Sequence, residues 1–303
     1  MSRRGRYYLG RVILLGKLDK NGFIDAIKSP ATVHVGKFSW TITDVVLDDD
    51  DGVLRYVYGQ LSKFSPEGIV KIVDNSKKTQ GEVIEPNLLI STSPFIYIPD
   101  ISGITYLHVW NQIERDTFIK RFCEVINETH EKFFVDCCIE PITDLRHFAE
   151  RLSSIERFIE ISAKVYTPNP LFGRAWKNLN DYIKKRMASE ISIKEKGDEE
   201  KPLQSKLVEH VTGLLNQENG FSYEPAEPVD ISDAAILMAA DGYGSGKVVG
   251  KEAGSTVTVR TSETHKSFLF SASPTPTDLF KEVQKHFIKL KKDRGMEHNE
   301  KDK

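Results

Sequence analysis

A glycine-rich stretch near the C-terminal end carries the residues best suited to contact a phosphate backbone. Residues 241–246 read DGYGSG, and three glycines in five positions favour tight turns with positive φ. The two strand-like runs that follow, 247–251 and 256–260, predict a β-hairpin beside a flexible loop. Basic side chains on such a hairpin can bind phosphates, and an aromatic ring can stack on a base. The candidate contacts here are Tyr243, Lys247, Lys251 and Arg260.

Basic side chains also cluster on the last predicted helix. Thr277 is expected to cap this helix, and apolar residues recur at helical spacing as far as about Lys292. The opposite face is rich in lysine, which binds phosphates through counterion release and without sequence specificity. A solvated helix face is the alternative interpretation of the same pattern. The candidate contacts on this helix are Lys281, Lys285, Lys289 and Lys292.

Nucleotide hydrolysis is excluded at the glycine-rich stretch. A P-loop needs Gly-Lys followed by Ser or Thr and then a helix whose N-terminus cradles phosphate. Here Gly246-Lys247 is followed by Val248 and by a predicted strand, so both the magnesium-binding hydroxyl and the helix are missing. The eight histidines are scattered without metal-ligand spacing. No metal or other cofactor is expected.

Acidic residues suggest one further chemistry, a metal-dependent nuclease. Asp136 and Glu140 flank one predicted strand and Glu160 lies on the next, so the three carboxylates would converge on a cation if the strands paired. Exposed carboxylates at strand ends are the other interpretation. The acidic run Asp48–Asp51 lacks the alternate spacing of a calcium loop and predicts an exposed hairpin turn.

The predicted strands and helices that would position these residues indicate an α+β protein. Residues 1–111 hold about seven short runs rich in β-branched and aromatic residues, which predict an antiparallel β-rich domain with almost no helix. Turn signals such as Asp19–Gly22 and Ser65–Gly68 separate the runs. Alternating helical and strand patterns over 112–196 predict an α/β sandwich core. Residues 197–303 would supply a helix, the glycine-rich hairpin and the C-terminal basic helix.

Composition narrows the classes of partner. The chain has 303 residues and a net charge of -2, so any binding of nucleic acid must use a local basic patch. No apolar run is long enough to span a bilayer. The three cysteines are Cys123, Cys137 and Cys138, and their odd number and adjacent positions favour a reducing cytoplasm.

The predicted β-α-β core resembles the RexA-like phage-exclusion proteins and related bacterial phage-defence proteins. The similar features are Ile139-Glu140-Pro141 after a strand, the Thr143-Asp144 helix start, the strand Ile159–Lys164, the Pro168–Pro170 helix start and the glycine-rich hairpin. The resemblance implies a cytoplasmic dimer that binds duplex DNA non-specifically and takes part in abortive infection. It supplies no catalytic residue.

Three functions remain open from the sequence. The leading one is a phage-defence protein that binds nucleic acid non-specifically through the C-terminal helix and hairpin, with the N-terminal β region mediating homo-oligomer assembly. The second is a protein-binding scaffold or sensor subunit that works with a partner protein of the same defence system. The third is the metal-dependent nuclease. The leading function is not enzymatic.

Overall fold

The computed structural model describes residues 3–168, 171–216 and 223–298 of the 303-residue chain, and these ranges form an α+β fold, as predicted. The strands are β1 (Arg4–Gly16), β2 (Val33–Val35), β3 (Phe38–Asp50), β4 (Val53–Asp74), β5 (Thr79–Ile98), β6 (Gly103–His108), β7 (Val135–Pro141), β8 (Arg157–Tyr166), β9 (Leu171–Gly173), β10 (Glu190–Lys196), β11 (Gly244–Glu252), β12 (Ser255–Arg260), β13 (Ser267–Ser271) and β14 (Met296–His298). The helices are α1 (Lys20–Lys28), α2 (Arg115–Thr129), α3 (Leu145–Ser153), α4 (Lys177–Arg186), α5 (Leu207–Leu215), α6 (Ile231–Met238) and α7 (Pro276–Asp293).

An eight-stranded antiparallel sheet organises the larger part of the molecule. Its order is β13-β1-β6-β5-β4-β3-β2, and β7 pairs with the second half of β1. Strands β6 and β13 both pair with residues 6–8 of β1, so they lie on opposite edges of it. Strand β7 continues the edge that β13 occupies. The long first strand therefore brings chain segments from both ends of the sequence into one sheet.

Helices cover both faces of this sheet. Strand β5 shows the alternation that results, because Phe95 and Tyr97 pack with α1 and α2 whereas Ile96 and Ile98 pack with α7. Helix α7 is held by its apolar side, and the Phe280 ring stacks on Tyr56 with centroids 4.3 Å apart. The lysine-rich side of α7 is consequently turned away from the sheet.

A second, four-stranded antiparallel sheet has the order β10-β8-β11-β12. One face packs on α6 and the neighbouring helices through the buried residues Ile161, Ala163 and Val165. The predicted hairpin is confirmed, with Lys247 opposite Arg260 across β11 and β12. The outer face of the sheet is open to solvent in the part of the chain that the structure describes.

A buried ion pair joins the two sheets. Arg294 Nη1 donates to Asp241 Oδ1 at 2.6 Å, and Trp176 Nε1 donates to the other carboxylate oxygen at 2.7 Å. Arg11 of β1 donates from Nε to the Asp241 carbonyl at 3.2 Å. A Cβ at Gly242, where φ is 86°, would lie 2.8 Å from the Arg11 side chain. Gly242 therefore permits the close approach of Arg11 that holds the two sheets together.

Two of the predicted turns are wrong. Asp19 caps helix α1 instead, because its Oδ1 accepts a hydrogen bond from the Gly22 N–H at 2.7 Å. The segment Ser65–Gly68 lies inside the 22-residue strand β4. In contrast, the turn predicted at the acidic run is confirmed, since Asp51 and Gly52 connect β3 to β4 with positive φ. The Asn169-Pro170 part of the predicted helix start lies outside the described residues.

The predicted domain boundaries do not follow the sheets. The large sheet takes β7 from the predicted sandwich core and β13 from the predicted C-terminal segment. The small sheet combines β8 and β10 with the hairpin. No helix within the three described ranges is long and apolar enough to cross a bilayer.

Candidate nucleic-acid interface

Tyr243 is a core residue, which corrects the prediction that it stacks on a base. Its side chain is 0% exposed, and its ring lies 5.6 Å from Trp176 and 5.2 Å from the Arg11 guanidinium. Burial raises the pKa of its hydroxyl to about 12. The predicted flexible loop begins as a buried π-helical turn, Ala239–Tyr243, and continues directly into β11. Packing against Arg11 and Trp176 therefore removes the aromatic contact from the surface.

The three basic residues of the hairpin lie on strands of the small sheet, and each is paired with a carboxylate. Lys247 Nζ lies 2.6 Å from Glu160 Oε1 and Lys251 Nζ lies 2.7 Å from Glu199 Oε1. Arg260 Nη1 lies 3.3 Å from Glu263 Oε1. Pairing lowers the positive potential that a phosphate would meet. The three basic residues therefore lie on the predicted hairpin, but each already has a carboxylate partner.

Glu160 is the centre of this basic sheet face. Lys194 and Lys196 of β10 lie 3.4 and 3.5 Å from Glu160 Oε2, in addition to the contact from Lys247. The hydrogen bond from Lys247, followed by that from Lys194, lowers the pKa of Glu160 to about 2. Alternation in the β10 sequence could have identified Lys194 and Lys196, because residues two apart share a face. We call this surface the hairpin face: Glu160, Lys194, Lys196, Lys247 and Arg260.

Helix α7 presents its lysines differently. Its buried side is formed by Leu279, Phe280, Val283, Phe287 and Leu290. Lys285 Nζ lies 3.0 Å from Glu282, whereas the other lysines of α7 form no ion pair with any residue in the described ranges. Thr275, rather than the predicted Thr277, caps the helix by accepting from the Asp278 N–H at 3.2 Å. We call this surface the α7 face: Lys281, Lys285, Lys289, Lys291 and Lys292.

A cleft of about 640 Å³ borders the α7 face. It lies between α7, the start of α3, the end of α5 and β13, and Lys289 stands on its rim. Arg146 and Lys266 add positive charge from α3 and the segment before β13, although Lys266 Nζ is 3.2 Å from Asp144. Asp293 also lines the cleft. Arg146 and Lys266 are basic residues that sequence patterns did not single out.

The two predicted groups of basic residues lie on separate surfaces. The hairpin belongs to the small sheet, whose core contains Val248 and Val259. The apolar side of α7 belongs to a different core, against the large sheet. The hairpin and α7 therefore provide two separate candidate contact surfaces.

The carboxylates of the proposed nuclease do not converge. Asp136 and Glu140 lie on β7 of the large sheet, and Glu160 lies on β8 of the small sheet, so the two strands do not pair. Asp136 accepts a hydrogen bond from Asn127 at 2.6 Å. Burial raises the pKa of Glu140 to about 7, with Lys164 acting in the opposite direction. No group of three potential metal ligands is present in the described ranges.

Comparison with known proteins gives no further identification. No protein-family model matches this sequence, and no curated protein matches it significantly. The assignment of function therefore depends on the surfaces described above.

Proposed function

We propose that this chain is a cytoplasmic phage-defence protein that binds nucleic acid, with duplex DNA as the expected form, through the α7 face. One observation carries the proposal: Lys281, Lys289, Lys291 and Lys292 form no ion pair in the described part of the chain. Unpaired lysines on an exposed helix can release counterions from phosphates without first breaking a protein ion pair. The phage-defence assignment rests on the resemblance of the β-α-β core.

The spacing of the lysines suits a phosphate backbone. Lys281 and Lys292 are eleven residues apart on α7, which corresponds to roughly 16 Å along the helix axis. Duplex DNA carries about one charge per 3.4 Å along each strand, so a single backbone offers several phosphates over that length. The cleft beside Lys289 can receive further phosphate contacts from Arg146.

The hairpin face contributes less to the proposed binding. A phosphate approaching Lys247 or Arg260 must compete with Glu160 or Glu263. Replacing the carboxylate partner of an exposed lysine or arginine by a phosphate yields little net electrostatic free energy. We therefore assign the main affinity to α7 and a minor, salt-sensitive share to the hairpin.

The salt dependence of DNA binding tests this proposal. We compare the wild-type chain with a variant in which Lys281, Lys289, Lys291 and Lys292, which form no ion pair with a described residue, are alanine, and with a second variant in which Lys247, Lys251 and Arg260 are alanine. Loss of four phosphate contacts should reduce the slope of log K against log salt by roughly 3 to 4. The hairpin variant should retain most of the wild-type slope.

Circular dichroism and thermal melting of both variants control for folding. If the α7 variant binds duplex DNA as tightly as the wild type at low salt, the proposal is wrong. If the hairpin variant alone loses binding, the interface lies on the small sheet. Binding of single-stranded DNA and RNA under the same conditions identifies the preferred nucleic acid.

A protein-binding scaffold is a second candidate, and one observation favours it. The end of the β4–β5 hairpin exposes several large apolar side chains, among them Ile69, Val73 and Ile84. Apolar groups exposed together are typical of surfaces that contact another protein.

A further inference from the structure

The β4–β5 hairpin extends well beyond the large sheet. Pairing of β4 with β3 ends at Phe64, and pairing of β5 with β6 covers only Phe95–Ile98. We call residues 65–74 of β4 and 79–88 of β5 the β-arm. Ten residues of extended chain correspond to roughly 33 Å. Over this length the arm has only two strands in the described structure.

The β-arm is apolar for a solvent-exposed ribbon. Ile69 is 61% exposed, Val73 is 69% exposed and Ile84 is 69% exposed, and Ile72 and Val83 are exposed on the same arm. Ile69 stands directly opposite Ile84 in the register of the two strands. A two-stranded ribbon without further packing is marginally stable in water. The arm therefore has a physical reason to gain a third strand.

The two edges of the arm differ in their capacity to accept a strand. Each strand of the arm contains one proline, Pro66 in β4 and Pro86 in β5, so charge is what distinguishes the edges, and the β5 edge carries the like-charged Glu82 and Glu85. The β4 edge carries Glu67 and Lys71 at equal distances on either side of Ile69. An antiparallel strand identical to β4 would thus find an opposite charge at each of these positions.

We propose that the β-arm is a dimerisation element, in which β4 pairs antiparallel with β4 of a second copy about a two-fold axis at Ile69. In this register Glu67 of each copy stands opposite Lys71 of the other, which gives two favourable cross-strand pairs. The two copies of Ile69 become neighbours, and with Ile84 on either side they form a row of four isoleucines. This pairing needs no nucleic acid and is independent of the α7 face.

Charge reversal tests the register. Two full-length variants are prepared, Glu67→Lys and Lys71→Glu, and self-association is measured by sedimentation without nucleic acid. Each variant alone places like charges opposite each other twice, so its dimer should weaken roughly tenfold. An equimolar mixture restores both opposite-charge pairs and should return the dissociation constant to the wild-type value.

A monomeric wild-type chain would overturn the proposal, as would a dimer that neither variant weakens. Weakening that the mixture does not reverse would also overturn it, because the register predicts recovery. Thermal melts of the separate variants show whether either change acts on the arm itself, since Lys71 also stands opposite Glu82 within the arm.

Disulfide trapping provides a second measurement with a control on the same strand. Ile69→Cys places a cysteine opposite itself, at a Cα separation of about 4.5 to 5.5 Å that permits a disulfide. Val73 is at least as exposed as Ile69, but in a Val73→Cys dimer the two cysteines would lie roughly 27 Å apart. Oxidation should cross-link the first variant and not the second. Equal cross-linking of both, or of neither, contradicts the proposed pairing.

Discussion

The hairpin face and the α7 face are both basic, but the lysines of the hairpin face are paired with carboxylates whereas, in the described part of the chain, most lysines of the α7 face are not. On the hairpin face, one carboxylate, Glu160, is contacted by three lysines from two neighbouring strands. On the α7 face, Glu282 engages Lys285, and the remaining lysines have no carboxylate partner among the described residues. The number of lysines on a surface therefore does not measure its capacity for phosphate. What matters is how many of those lysines are already paired.

The physical origin of the difference is the geometry of the two elements. Cross-strand neighbours in a sheet lie about 5 Å apart, so an acidic residue on a central strand meets basic residues from both sides. An isolated helix face has neighbours only at i+3 and i+4. On α7 those positions around Lys281, Lys289 and Lys292 include Asp278 and Asp293 but are otherwise mostly lysine, glutamine or isoleucine, and Lys285 is the one α7 lysine that forms an ion pair with a described residue. The helix therefore keeps unpaired positive charge where the sheet does not.

Substitution of Asp241 should have the largest effect, because this residue joins the sheets that carry the two faces. Asp241→Ala leaves Arg294 buried without its carboxylate and should lower the free energy of unfolding by about 3 to 5 kcal/mol. Urea denaturation measures this change. Asp181→Ala is the control, since it removes an exposed pair with Lys177 and should cost less than about 1 kcal/mol. Equal destabilisation by both changes would show that Asp241 does not hold the sheets together.

Substitution of Glu160 should convert the hairpin face into a surface like α7. Glu160→Gln preserves the shape of the side chain but releases Lys194, Lys196 and Lys247 from their shared carboxylate. We expect the affinity for duplex DNA to rise by roughly tenfold at low salt, with a steeper salt dependence. The measurement is a fluorescence titration at two salt concentrations. Unchanged affinity would mean that ion pairing is not what distinguishes the two faces.

Substitution of Glu140 should produce the smallest effect, which grows as the pH rises from about 4.5 to about 7. Burial raises its pKa from an ordinary value of 4.5 to about 7, so the folded state favours the protonated carboxyl. The stability that this shift contributes is complete below pH 4.5 and is lost as the pH rises through about 7. Glu140→Gln should therefore raise Tm by a few degrees at pH 8 relative to the wild type.

The same Glu140 change should leave Tm nearly unaltered relative to the wild type at acidic pH, where the wild-type carboxyl is already protonated. The stability contribution of Glu160 should depend on pH in the opposite direction, because the pKa of Glu160 is lowered to about 2. Its carboxylate stays charged throughout the neutral range, and its contribution is lost only in strong acid. A Tm difference for Glu140→Gln that is independent of pH would contradict the assigned titration.

Local patterns predicted much of the secondary structure but few of its boundaries. The hairpin at 247–260 followed from two β-branched runs around Ala253-Gly254, and the structure confirms it. Helix α1 was missed because Asp19, Asn21 and Gly22 are turn formers as well as cap and first-turn residues. The length of β4 was underestimated because Ser65-Pro66 also signals a turn, although an edge strand tolerates proline.

The candidate site was predicted only in part, for a reason that Tyr243 illustrates. Its glycine-rich neighbourhood is typical of an exposed loop, whereas Arg11 and Trp176, distant in sequence, cover it from two sides. The lysines of α7 were easier to place, since helical periodicity alone assigns them to the side opposite Leu279 and Val283.

The α+β class, the basic outer side of the last helix and the hairpin could be predicted locally, because these depend on the period of apolar residues and on local turn chemistry. Tertiary structure alone decided that the hairpin lysines meet Glu160 and Glu199, that Tyr243 is buried and that the acidic residues lie on different sheets. Those outcomes depend on which strands become neighbours. Strand pairing joins residues that are far apart in the chain, and no local sequence pattern specifies which strand will pair with a given sheet edge.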